Sequence, residues 1–579
     1  MSHHDDDSIS NESSNPSFSD VLAVAHSRRQ LLAGGIGGAA AFFMSDSMLA
    51  APERQTHWQT RHQLVGFRPV PLAGGGGNTP RISADYQYEV IIPWGAPIAP
   101  GSTDTIGIGH DGMWFLPLNN RSSHGLLVIN HEYGDNIVVL GKNTPSNLND
   151  VRISQYAHGL SVIEIMRQGR NGKWITNASN YARRIHVNSP VTFSGPAANS
   201  PLLSNAAGNA PLGTVNNCAN GNTPWSTYLT CEENFNGYFG ATAPWTANEA
   251  QRRYGMAAGS GYGWHLFDAR FNLSNPDYAN ESNRFGWIVE LDPLNPLAPP
   301  VKRTALGRMK HEGIAIVEGR GGRIVGYMGD DERFEYIYKF VSDDNWRAMR
   351  AQGKSPLDHG KLYVARFKDD GTGQWLELTI SNPALAARFA DQATILVNTR
   401  LAADVLGATP MDRPEWTTVG PNGLVYCTLT NNTRREVANG ANPQVPNPDG
   451  HIIRWLDSDD HLGLTFEWDI FALASATHGT EESFASPDGL MADPDGRLFI
   501  ETDGLQRDGL NDQLLVADIN TGEIRRLFEG VAGAEVTGIT MTPDRRTLFC
   551  NLQHPNPDTS VPRDATVVIT RRDGGIVGS

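Results

Sequence analysis

A short unit recurs along the second half of the chain, and it constrains the fold more than any single motif. Glu312-Gly-Ile-Ala-Ile, Glu415-Trp-Thr-Thr-Val, Asp488-Gly-Leu-Met-Ala and Thr537-Gly-Ile-Thr-Met each set a polar residue and a Gly or Trp before a brief β-prone run. Each is followed by a turn (Gly321-Gly-Arg, Pro421-Asn-Gly, Asp493-Pro-Asp-Gly, Pro543-Asp-Arg) and by a second apolar run at 324–328, 424–429, 498–500 or 547–550. Further runs at 126–130, 160–166, 286–291, 336–341, 362–367, 514–519 and 566–570 read as strands bounded by turn residues. Helical patterning is confined to 346–352 and 383–390, on insertions. A hairpin unit repeated every several tens of residues predicts a propeller. His124-Gly-Leu, His158-Gly-Leu and Thr223-Pro-Trp read as earlier, degenerate copies. The expected fold is therefore all-β: a β-propeller of about six blades with loop and short helical insertions.

The phase of the repeat carries a functional expectation. The polar residue opening each copy would start the innermost strand of a blade, beside the axis. Glu312, Glu415 and Asp488 would then face one another. Carboxylates forced together repel, so they imply bound cations. Taken singly, each acid also fits a turn position; their common phase favours the metal reading.

Two other stretches add chemistry. Thr223-Pro-Trp-Ser-Thr-Tyr-Leu-Thr-Cys-Glu-Glu-Asn234 sets Cys231 beside Glu232, Glu233 and Asn234. A soft thiolate among hard oxygens suits a transition metal next to a hard cation. Asp412-Arg-Pro-Glu-Trp416 places Arg413 two residues from Glu415, and a guanidinium suits a phosphate or carboxylate. The cysteines are Cys218, Cys231, Cys427 and Cys550. In an oxidising compartment Cys218 and Cys231 could pair, which conflicts with Cys231 as a ligand.

Ser27-Arg-Arg-Gln-Leu-Leu32 leads into a Gly/Ala-rich run ending near Ala50-Ala51. This reads as a twin-arginine export signal over residues 1–50, with 51–579 as one catalytic domain. The apolar run is shorter than the roughly 20 residues a membrane span needs. The expected location is periplasmic or secreted, with the twin-arginine translocase as the partner during export. With a net charge of −16 and no Lys/Arg cluster, nucleic acid and anionic membranes are poor partners.

At several of these residues the chain resembles the PhoX family of bacterial alkaline phosphatases. The matching blocks are Asn217-Cys-Ala219, Thr223-Pro-Trp, Leu229-Thr-Cys-Glu-Glu-Asn234, Lys310-His-Glu-Gly313, Gly329 to Lys339, Asp412-Arg-Pro-Glu-Trp416, Ser486-Pro-Asp-Gly489 and Glu501-Thr-Asp-Gly504. The resemblance implies a six-bladed, monomeric, exported phosphomonoesterase with two oxo-bridged ferric ions (Fe3+) and calcium (Ca2+). Carried over, it makes Cys231 an iron ligand and Glu312, Glu415 and Asp503 metal-bridging carboxylates. Arg413 would bind substrate phosphate, with Lys310 as a second candidate. Glu132, Glu232, Asn234, Asp330 and Asp488 would be calcium ligands. His131, His158 and His311 read as structural. The alternatives are a calcium-dependent propeller hydrolase (lactonase, phosphotriesterase or phytase), which needs no cysteine, and a non-catalytic calcium-stabilised binding propeller.

Overall fold

The structure, a computed structural model, describes residues 64–169, 172–259 and 261–579. The expected export signal lies outside them. The described chain is mostly β: its strands form five sheets of mainly antiparallel hairpins, and one sheet of nine strands joins two ladders edge to edge. Every run expected to be a strand lies in or overlaps one, for example Arg323–Asp330, Gly360–Phe367, Gln513–Asp518 and Ala565–Arg571. Chain ends are tied together. Tyr86–Pro93 pairs with Ala565–Arg571, and so completes the sheet that begins with Glu535–Met541.

Six strands form the inside. His110–Pro117, Asn217–Asn222, His311–Gly319, Pro414–Val419, Pro487–Ala492 and Glu535–Met541 pack side by side in that order, and the last returns to the first. Each carries the same irregularity. Two residues of the inner strand oppose one residue of its neighbour: Asp111-Gly112, Cys218-Ala219, Glu312-Gly313, Glu415-Trp416, Asp488-Gly489 and Gly538-Ile539. Such a bulge re-aims the extra side chain and bends the strand. The sheets sit so close at these points that the second bulge residue is small in most copies. A Cβ on Gly112 would lie 2.7 Å from the Cys218 carbonyl oxygen of the next sheet. Adjacent sheets also tie the bulged backbone. Asn130 Nδ2 donates to the carbonyls of Cys218 (2.6 Å) and Ala219 (3.0 Å), and Thr428 Oγ1 donates to that of Asp488 (2.7 Å).

The bulges correct the phase expected for the early copies. His124–His131 and Gly159–Arg167 are second and third strands of a sheet that opens at His110, and Thr223-Pro-Trp is a turn after Asn217–Asn222. The helical expectation is also revised. Trp346–Ala351 and Pro383–Ala386 are helical, but so are Asn136–Leu140, Leu148–Ala157, Gln392–Val397 and Thr399–Leu406. These four carry side-chain caps or αL C-caps rather than long periodic apolar faces, so the pattern gives little warning.

Apolar side chains fill the space between sheets, as with Phe367, Trp375, Trp455 and Phe466. That layer buries one ion pair: Lys339 Nζ meets Asp457 Oδ2 at 2.5 Å, and Asp457 also accepts from Tyr327 Oη (2.6 Å) and Trp375 Nε1 (2.8 Å). Asp457→Ala leaves the ammonium without its counter-ion and should cost about 3 kcal/mol or more. Denaturant unfolding checks this; a loss under about 1 kcal/mol would show that the ammonium readily regains water.

Candidate metal and phosphate site

Four of the six bulges put their first residue, Cys218, Glu312, Glu415 or Asp488, into the wall of one cavity of about 560 Å³. Its lining holds ten carboxylates (among them Glu132, Glu233, Glu312, Asp331, Glu415, Asp488, Asp503 and Glu535) against Lys310, Arg333, Arg413 and Arg563. Three overlapping groups of ligand-type side chains run through it: Asp111–Glu132–Cys218, Cys218–Glu233–Glu312 and Glu312–Asp331–Glu415, with the ligand atoms of each within 4.8 Å of one another. Cys218 and Glu312 are shared, so seven buried side chains form one continuous cluster. Cys218 Sγ lies 2.9 Å from Glu312 Oε1 and 3.3 Å from Asp111 Oδ2. A fourth group is Asp503–Glu535–His554, of which Asp503 and Glu535 line the same cavity.

The electrostatics are those of crowded, buried acids. Burial, then the charges of Asp111 and Glu312, pushes the Cys218 thiol well above its usual range. Burial and neighbouring carboxylates likewise raise Glu233, Glu312, Asp488 and Glu535. Glu415 is raised by burial despite Arg413 beside it. Asp331 is the exception: although burial opposes it, Arg413 holds its carboxyl below the usual range. Asp331 Oδ1 and Asp488 Oδ1 are buried with no hydrogen-bond partner. Unfilled oxygens in so acidic a cavity fit a bound cation better than a hydrogen-bond network.

The expected site residues fall into two sets. Glu132, Glu312 and Glu415 lie in the cluster, Asp503 in the fourth group, and Asn234 and Asp488 in the cavity wall. Arg413 and Lys310 also line the cavity. Arg413 occupies the left-handed region (φ 56°) just before its bulge, and Nη2 reaches Asp331 Oδ2 (2.8 Å) and Glu415 Oε1 (2.9 Å). A non-glycine residue held there is uncommon and points to a position fixed for function. Lys310 Nζ is 3.1 Å from Glu332 Oε2.

Cys231, Glu232 and Asp330 lie elsewhere. Cys231 is the single residue opposite the bulge that contains Cys218. That register turns it into the apolar core with Leu229, Trp287 and Ile288. Both thiols are free, so the expected disulfide alternative is absent from the structure. Glu232 is spent on Lys302 Nζ (2.7 Å) and the backbone N–H groups of Gly286 and Trp287, both at 3.1 Å. Asp330 is bound by Arg400, whose Nε lies 2.9 Å from Oδ2, and accepts the Lys310 backbone N–H (3.1 Å). Arg400 also holds Glu332 (2.8 Å), so it braces the Lys310 backbone through Asp330 and the ammonium through Glu332.

Asp111, Cys218, Asp331, Glu535 and His554 complete the groups without having been expected as ligands, and Glu233, noted in the sequence only beside Cys231, joins them. His131, His158 and His311 are buried and bonded to nearby strand or loop groups; burial drives His158 and His311 down to about 4.

Comparison with known proteins is decisive for the family. The profile of the alkaline phosphatase PhoX family matches residues 66–556. The chain belongs to the PhoX family. It is therefore a phosphoric monoester hydrolase. A solved PhoX from Pseudomonas fluorescens, in complex with the transition-state analogue vanadate, is 43% identical. The match covers 89% of this PhoX chain and all (100%) of that one, with a TM-score of 0.83. A gluconolactonase from Xanthomonas campestris (10% identity, 87% and 97% coverage, TM-score 0.33) and a streptogramin B lyase (9%, 84% and 98%, TM-score 0.30) are far more distant. No curated protein sequence matches the chain.

Proposed function

We propose that this PhoX family member hydrolyses small phosphomonoesters at a mixed iron–calcium centre built from the bulges of a six-bladed propeller. The observation that carries the reading is the seven-residue buried cluster, with one thiol among six carboxylates. The closed order of six inner strands supports the blade count. Cys218 is the soft donor that favours iron, and Asp111, Glu132, Glu233, Glu312, Asp331 and Glu415 supply hard oxygens for iron and calcium. Asp488, Asp503, Glu535 and Asn234 are the outer candidates. When bound, such cations polarise phosphoryl oxygens and offset charge that builds up in the transition state.

The chain's own residues bind and orient. Arg413 is always charged and held in place by Asp331 and Glu415, so it presents a fixed guanidinium charge to the phosphoryl oxygens. Lys310, braced from both ends, adds a point charge to the same wall. Together they hold the ester so that its phosphorus meets the cluster in one orientation, which lowers the entropic part of the barrier. A calcium-only lactonase or phytase would leave the buried thiol unexplained.

The deciding experiment is metal content by mass spectrometry on protein purified after export, with p-nitrophenyl phosphate turnover. Iron and calcium together support the reading; calcium without iron overturns the mixed centre. Export itself rests on the twin-arginine segment; among the described residues no helix is long and apolar enough to cross a membrane. Arg413→Ala should raise the inhibition constant of inorganic phosphate by roughly 10- to 10²-fold, the value of a charge-assisted hydrogen bond. An unchanged constant in a folded variant removes Arg413 from the phosphate site.

A further inference from the structure

The four cations of the cavity are not equivalent. Arg413 and Lys310 are engaged by carboxylates of the Glu312–Asp331–Glu415 side. Arg333 is buried and directs Nη2 to Asn431 Oδ1 at 3.4 Å. Arg563 is different. Its side chain is 25% exposed, and the carboxylate beside it, Asp564, stands 3.7 Å from Nε, beyond hydrogen-bond distance. Nε itself is buried with no hydrogen-bond partner, and so is Asp564 Oδ2. Elsewhere arginines of this chain meet carboxylates closely, as Arg253 does Asp404 and Arg303 does Asp358. An arginine that lines a cavity, keeps part of its side chain exposed and has no carboxylate within hydrogen-bond distance is placed to receive an anionic ligand.

Its position says which part of a ligand. Asp564 Oδ1 accepts the backbone N–H of His554 at 2.6 Å, and the His554 ring lies 6.0 Å from that of Tyr133. Arg563 therefore belongs with Tyr133, Asp503, Glu535 and His554, whereas Arg413 and Lys310 are held by Asp331, Glu415 and Glu332. A cavity of about 560 Å³ accommodates a whole ester, not a phosphoryl group alone. A leaving group that carried its own negative charge would meet the surrounding carboxylates unless a cation stood there.

Resting on the phosphatase reading, we propose that Arg563 binds a second anionic group on the alcohol side of the substrate. The favoured substrates are then phosphomonoesters whose alcohol bears a carboxylate or another phosphate. Arg563 acts on selectivity between substrates; it makes no contact with the phosphoryl group being transferred.

The test uses two substrates that differ in one charge, glycerol 3-phosphate and 3-phosphoglycerate, with metal-loaded full-length enzyme. In Arg563→Gln, kcat/KM for 3-phosphoglycerate should fall about tenfold relative to that for glycerol 3-phosphate, chiefly through KM. Arg563→Lys, which keeps the charge, should recover part of the ratio. An unchanged ratio overturns the proposal, whether both substrates suffer equally or neither does. Wild-type turnover of glycerol 3-phosphate tests the phosphatase reading separately. Were it absent, the melting-temperature rise given by 3-phosphoglycerate over glycerol 3-phosphate, and its loss in Arg563→Gln, would report the same contact.

Discussion

Cys218→Ser is expected to lower kcat for p-nitrophenyl phosphate by roughly 10²-fold or more and to strip iron from the protein. Cys231→Ala should leave both within about twofold, a surface-like effect on function from a core position. The two thiols lie at one bulge, on facing strands, and the bulge decides their fates. Cys218 is the extra residue and enters the cluster; Cys231 is the single residue opposite and enters the apolar core. A thiolate surrounded by Asp111, Glu132, Glu233 and Glu312 exists only if a cation compensates it, since burial and those charges otherwise keep it protonated. Serine keeps the size but neither ionises nor offers a soft donor. Metal analysis beside kinetics separates the outcomes. If Cys218→Ser retains iron and activity while Cys231→Ala loses them, the thiol assignment is inverted and the bulge register with it.

That bulge also explains how far the sequence could be read. The repeat Glu312-Gly, Glu415-Trp, Asp488-Gly is the bulge itself, so these three acids were legible as one set facing one axis. Asp111-Gly112 follows His110 just as Glu312-Gly313 follows His311, and it carries the same signal; the choice of His124 and His158 as early copies hid it. Strand positions were legible because β-branched runs between turn residues leave few other options. The choice between Cys218 and Cys231 was not. Simple alternation along a strand assigns a face by parity, and one inserted residue reverses it. Glu232 against Glu233, and Asp330 against Asp331, failed for the same reason. In each pair the residue nearer the strand interior is taken by a buried cation, Lys302 or Arg400, and the next one faces the cavity. Those cations come from residues 70 positions away from their acids, beyond the reach of any local pattern.

Removing divalent cations with excess chelator should make the protein progressively less stable as pH rises, and calcium should cancel that slope. Glu233, Glu312, Glu415, Asp488 and Glu535 all have folded-state pKa values raised by burial, and mutual repulsion adds to the shift. The unfolded chain releases these protons above about pH 4. Between that value and the raised folded values, the folded state binds more protons than the unfolded one, so stability falls with increasing pH. Asp331, held low by Arg413, contributes in the opposite sense, and the raised groups outnumber it. A bound cation replaces the protons and removes the penalty. One calcium site at 100 times its Kd adds about 2.7 kcal/mol, and several sites add more. The measurement is melting temperature from pH 5 to pH 9, chelated and calcium-restored, on the same preparation. The two curves should lie closest together at pH 5 and separate steadily towards pH 9. Parallel curves would mean that the carboxylates are neutralised from within the chain, and the cavity would then be a charge network rather than a cation site.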